Sequence, residues 1–99
     1  MTRADILKEA EKCVCGQRQQ DYGSPEDNFT TIAYLWTVYL AAESDGKLAF
    51  NITAKDVAMM MALLKVARIA RGDSLDSFVD LAGYAACAGE ITTRVTKEG

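Results

Sequence analysis

The chain has no histidine, a single proline and only three cysteines in 99 residues. Without histidine it lacks the commonest zinc ligand and the side chain that titrates nearest neutral pH. Ser-His-Asp and Cys-His nucleophile systems are excluded for the same reason. Cys13, Cys15 and Cys87 are too few, and odd in number, for a disulfide framework. In "CVCG", Cys13 and Cys15 would point about 200° apart on a helix. That spacing argues against a metal or redox clip, and all three thiols are expected to be buried and structural. No apolar run approaches the ~20 residues that span a bilayer. The start, "MTRADILKEAEK", mixes acids with bases and has no apolar signal core. A membrane role is therefore not expected, and a cytoplasmic location is. The formal net charge of −3 leaves no basic footprint for following a phosphate backbone, which disfavours nucleic acid as a partner.

What is present reads as helix. Hydrophobic residues make up 49% and charged residues 25%, ordinary for a globular domain. The length suits one domain over residues 1–99 that buries roughly two-thirds of its unfolded surface. β-branched residues do not alternate over any useful length, and a 3.6-residue apolar period dominates. Short connections favour antiparallel neighbours, so the predicted fold is an all-α, up-and-down four-helix bundle.

Each helix has a start signal. Thr2 caps the first, with Asp5 as its capping-box partner, and Ile6, Ala10, Cys13 and Gln17 follow one face to about Gln20. "SPED" opens the second: Ser24 caps, Pro25 fits the first helical position, and Glu26 and Asp27 complement the helix dipole. Its apolar face is Phe29, Ile32, Ala33, Trp36, Tyr39 and Leu40, and "SDGK" ends it. Leu48, Phe50 and Ile52 in the next segment are expected to lie across the bundle. Thr53 and Asp56 form a second capping-box pair. "VAMMMALL" then covers every side of the third helix, which predicts burial on most sides, and Gly72 closes it. Asp73 or Ser74 caps the fourth, where Leu75, Phe78, Ala82, Ala85, Ala86 and Gly89 make one face. Helices three and four carry more apolar surface than one small bundle can bury, so a homodimer is expected.

One constellation carries chemistry. Lys65 and Arg68 precede the Gly72 turn, and Asp76 and Asp80 follow it. On the fourth helix Asp76, Asp80, Tyr84, Cys87 and Ile91 share one stripe. On the third, Met61, Lys65 and Arg68 share another. Folding back at Gly72 brings Arg68 level with Asp76, Lys65 with Asp80, and Met61 with Tyr84. These charges can be register-setting ion pairs, which contribute little when exposed and often fail to offset desolvation when buried. Alternatively, the carboxylates hold a hard cation such as Mg²⁺ and the bases hold phosphate oxygens. Asp56 is a third carboxylate candidate, although its capping role already accounts for it. Arg18, Tyr22 and Asn28 bracket the start of the second helix, and Arg18 and Tyr22 are ligand candidates there.

"RQQDYGSPEDNF…IAYLW" followed by "KVAR…DSFVDLAGYAA" resembles a small phage- and prophage-encoded helical family, over about Arg18 to Ala86. The set Lys65, Arg68, Asp76, Asp80, Tyr84 also resembles phage nucleotide-modification-associated domains. More distantly it is similar to the MazG-like all-α nucleoside triphosphate pyrophosphohydrolases. These bundles use an ExxE…ExxD carboxylate set to bind Mg²⁺ and cleave between the α- and β-phosphates. Asp80 matches the last Asp of that motif, and Ser77 stands where its Glu would be. Asp56 matches the first Glu, and Met59 replaces the second. Asp76, one turn before Asp80, is placed to substitute for a missing carboxylate. The resemblance implies Mg²⁺ on Asp80 and Asp76, with Asp56 as a further ligand, and metal-assisted attack by water. It implies that Lys65 and Arg68 offset phosphate charge, with Tyr84 beside the substrate and Arg18 or Tyr22 closing over the nucleoside. The reading from residues alone keeps open a non-enzymatic helical accessory or interaction protein.

Overall fold

A computed structural model describes residues 1–16, 25–72 and 75–98, with side chains at 1–16, 27–72 and 75–93. Among the described residues there are four helices and no strand. They are α1 (Arg3–Cys15), α2 (Pro25–Glu43), α3 (Ala54–Ala70) and α4 (Leu75–Glu98). None of the described helices is long and apolar enough to cross a membrane.

The caps form where the sequence places them. The Thr2 hydroxyl accepts from the Asp5 N–H, and the Asp5 carboxylate accepts from the Thr2 N–H. These bonds hold the Asp5 carboxyl below its ordinary value of 3.8. Thr53 and Asp56 repeat the arrangement at the start of α3. Two donors that a helix start leaves without partners are thus satisfied at each end. The proposed caps Ser24, Asp73 and Ser74 lie outside the described residues.

α1 is shorter than expected. It stops at Cys15, with Gly16 as its C-cap and the Gly16 N–H donating 3.0 Å to the Lys12 carbonyl. A Cβ on Gly16 would lie 2.5 Å from that carbonyl oxygen, a contact only glycine avoids. α3 is closed by Gly72 at φ +87°, in the left-handed region that glycine enters without steric cost.

The most extensive contact is α3 against α4. α1 packs on α4, and α2 leans mainly on α3. Phe29, Ala33, Val57, Ala58, Cys87, Ala88 and Ile91 form the core, with Ile32, Trp36, Ile52, Met61 and Tyr84 packed around it. The Thr37 hydroxyl accepts the Ile52 N–H at 2.8 Å and lies 2.8 Å from the Ala33 carbonyl, tying the 44–53 segment to α2.

Several faces differ from expectation. On α4 one buried stripe is Ser77, Cys87, Ala88 and Ile91, with Asp80 and Tyr84 half-buried on the same side; Val79 and Gly83 are buried beside it, while Phe78, Ala85 and Ala86 face outward. The side of α4 that docks on α3 is the one whose carboxylate meets a lysine there, and Gly83 lies against Val14 of α1. On α3 only Val57, Ala58 and Ala62 are buried, whereas Met59, Met60, Leu63 and Leu64 are exposed. α2 buries Phe29 and Ala33 but leaves Tyr39 and Leu40 open, and Phe50 is exposed. Cys13 and Cys15 are exposed, contrary to the expectation of buried thiols, and only Cys87 is buried. α1 is a surface helix that turns Ile6, Ala10 and Val14 inward; Cys15 points to the opposite side, and Cys13 lies at the edge of the stripe, where it stays exposed.

Candidate functional site

The antiparallel hairpin of α3 and α4 positions the charged residues. Lys65 Nζ lies 3.0 Å from Asp80 Oδ2. The lysine side chain is only 13% exposed, whereas the aspartate retains 37%. Lys65 thus lays its aliphatic stem between the helices and delivers its ammonium to a carboxylate at the rim. The same antiparallel register carries into the core, where Val57 and Ala58 join Cys87 and Ala88 in one cluster.

Towards the turn, Arg68 and Arg71 line an open depression of about 530 Å³ with Ala67 and Gly72. Asp76 is exposed in the first turn of α4, one helical turn before Asp80. This end of the hairpin therefore combines two guanidinium groups, a half-buried ammonium and two carboxylates. Planar guanidinium groups suit phosphate oxygens better than ammonium groups do.

Other candidates fall elsewhere. The Tyr84 ring packs tilted against Phe29, with centroids 6.0 Å apart, on the core side of the hairpin. Asp56 is held by Thr53, its Oδ2 accepting the Thr53 N–H at 2.9 Å. Nine residues of helix, roughly 14 Å of rise, separate it from Lys65, so one protomer does not bring Asp56 to the other charges. Arg18 and Tyr22 lie outside the described residues. Among the described residues, no three Asp, Glu, Cys or His side chains converge on a point.

One feature was not singled out from sequence. Arg71 shares the depression with Arg68; its signal was a second arginine immediately before the closing glycine. Ser77, which stands at the position of a motif Glu, is 3% exposed and lies on the α4 stripe that packs on α3. Cys87 is no activated nucleophile: burial first, then Glu90 and Cys15, push its thiol above the ordinary value. A second depression of about 410 Å³, between α2 and the 51–54 segment, has Tyr34 and Val38 on its wall and no charged residue among its described lining.

Fold and site together define a small all-α domain with a charged helical hairpin. The chain belongs to the family described as a domain of unknown function, DUF6378, whose model matches residues 5–92. It is 42% identical over 87 residues to the "Gene 55 protein" of Mycobacterium phage D29, covering 87% of this chain and 52% of that protein. It is 46% identical over 81 residues to the "Gene 55 protein" of Mycobacterium phage L5, covering 81% of this chain and 47% of that protein. The chain spans about half the length of the curated relatives it matches. No solved structure matches it.

Proposed function

We propose that this phage-related domain handles nucleotides, taking a phosphate chain at the turn end of the α3–α4 hairpin. The observation that carries this reading is the uneven burial of one ion pair. Lys65 is almost enclosed, while Asp80 keeps 37% exposure at 3.0 Å from it, and further towards the turn Arg68 and Arg71 line a depression on the helix that carries Lys65. A pair serving packing alone has no need of an open carboxylate. In this reading Arg68 and Arg71 hold phosphate oxygens, and Lys65 orients Asp80.

The charge set fits Mg²⁺ in one way only. Asp76 and Asp80 are the residues that would hold it. Two carboxylates are what a Mg²⁺ site shared with substrate phosphates uses, and they do not make a protein cage. A bound Mg²⁺ would supply neutralisation of charge on phosphoryl oxygens. Ser77, buried and uncharged, occupies the position of a motif carboxylate. Nucleotide binding is accordingly better supported than pyrophosphohydrolysis, which needs the fuller carboxylate set.

The test is calorimetry with a panel of deoxynucleoside triphosphates with and without Mg²⁺, run beside an assay for released pyrophosphate. Mg²⁺-dependent binding heat is expected, weakened at least tenfold in Arg68→Ala and Asp80→Asn. Absence of heat and of turnover with every nucleotide sinks the proposal.

The same pair supports a second reading. At 3.0 Å Lys65 and Asp80 neutralise each other, and an accessory or interaction protein would need nothing more from them than register. Its signature is a melting temperature that Mg²⁺ and nucleotide leave unchanged, since a ligand that binds the folded state must raise it.

A further inference from the structure

The protein exposes 7167 Å², whereas a folded monomer of this mass is expected to expose about 5,500 Å². Its radius of gyration is 15.0 Å, against about 13 Å for a compact chain of this length. The surplus is about 1,600 Å² on that scaling, and exposed apolar side chains are concentrated on α3 and α2. The outward side of α3 carries Met59, Leu63, Val66 and Ala70 in one stripe and Met60, Leu64 and Ala67 in the next, all exposed. Alongside, α2 has no charged residue from 28 to 42 and leaves Tyr34, Leu35, Val38 and Tyr39 exposed. Such a surface far exceeds the scattered apolar residues of an ordinary monomer.

We infer that a second copy of this chain covers the face, with α3 packed antiparallel on α3 of its partner about a two-fold axis near Leu63 and Leu64. Two observations select this occupant. The first is area. Covering half of the surplus on each of two chains would bury about 1,600 Å² in total, the size of a standard specific interface. The second is charge. Helical spacing puts Asp56 and Arg71 at the two ends of the outward side of α3, with apolar residues between them. An antiparallel pair places Asp56 of one copy level with Arg71 of the other at both ends, whereas a parallel pair would stack like charges. Opposed charges of this kind fix register, and an isologous interface needs a self-complementary surface. The inference shares Arg71 and Ala67 with the depression of the nucleotide reading, but it does not rest on that reading, and its test reads oligomeric state and not nucleotide binding.

Sedimentation velocity and light scattering at micromolar concentration test it. A species of twice the 10.8 kDa chain mass is expected. Leu63→Lys should give a monomer that keeps its helical circular dichroism, because Leu63 is 63% exposed in the single chain. Leu7→Lys, equally exposed but on α1, should stay dimeric. In a Cys13→Ser, Cys15→Ser background, Leu63→Cys or Leu64→Cys should cross-link to its own copy under mild oxidation. A monomeric wild type overturns the inference and leaves the face to a different partner. A dimer that survives Leu63→Lys, or that Leu7→Lys breaks, overturns the assignment to this face. Failure of both cysteine variants to cross-link overturns the two-fold position.

Discussion

Lys65 on α3 meets Asp80 on α4 with 3.0 Å between Nζ and Oδ2, and this contact holds the two helices in the register that also builds the core. Met61 and Tyr84, one turn further along, pack against the cluster that contains Ala58 and Cys87. A slip of one residue on either helix would turn the lysine away from its carboxylate and open the core at once.

Asp80→Asn leaves an almost enclosed ammonium facing a neutral amide. A loss of about 1–2 kcal/mol is expected, between the limits for exposed pairs and for broken buried pairs. Lys65→Met alone should cost less, since Asp80 can turn to water. A double-mutant cycle in urea, with Lys65→Met and Asp80→Leu, measures the coupling directly. A coupling indistinguishable from zero would show that the pair does not set register.

The capping box at the start of α3 predicts a separate effect. Thr53→Ala removes the acceptor for the Asp56 N–H and should lower stability by about 1 kcal/mol. Thr53→Ser, which keeps the hydroxyl, should cost far less. Thermal denaturation of the two variants side by side reads the difference. Equal losses would mean that the lost methyl group, and not the cap, is responsible.

Gly16 and Gly72 are required for different reasons. Gly16→Ala drives a Cβ to 2.5 Å from the Lys12 carbonyl oxygen, so the end of α1 must unwind or shift. Gly72→Ala meets nothing within 4 Å but forces an L side chain to φ +87°, at a cost of roughly 1 kcal/mol. Gly72→Asn should recover part of that loss, because Asn tolerates the left-handed region better. Gly16→Asn should recover none. Chemical denaturation of the four variants checks the contrast.

Cys87 makes stability depend on alkaline pH. Its folded-state thiol is raised above 9.0, chiefly by burial. Below that value both the folded and the unfolded thiol are protonated, and the contribution is intact. As pH rises beyond it, the unfolded thiol ionises first, so stability is progressively lost. Wild type should therefore lose more stability than Cys87→Ala between about pH 8 and about pH 10. Parallel pH dependences for the two proteins would refute this. In thiol titration of the native protein, Cys13 and Cys15 should react fast and Cys87 only on unfolding.

The four helices, both capping boxes and the Lys65–Asp80 level were legible in the sequence, because caps and helical periods are local. The first helix ends at Cys15 and not at about Gln20, because Gly16 is its C-cap, where a side chain would meet the Lys12 carbonyl oxygen. The Glu26–Asp27 start of α2 was equally plain. Which side of α4 would dock was not legible. Both of its stripes are apolar, and the choice depends on which one meets Lys65 and Val57 across the hairpin.

The sequence by itself determined that this chain is helical, where α2, α3 and α4 begin, and that its charges bracket one turn. Propensity, capping and spacing act within a few residues and need no partner. Only the tertiary structure decided that Asp80 stays open while Lys65 is enclosed, that Ser77 faces inward, and that Met59, Leu63, Leu35 and Val38 remain uncovered. Burial is a property of what packs against a surface. An apolar helix carries the same sequence pattern whether its neighbour comes from its own chain or from another.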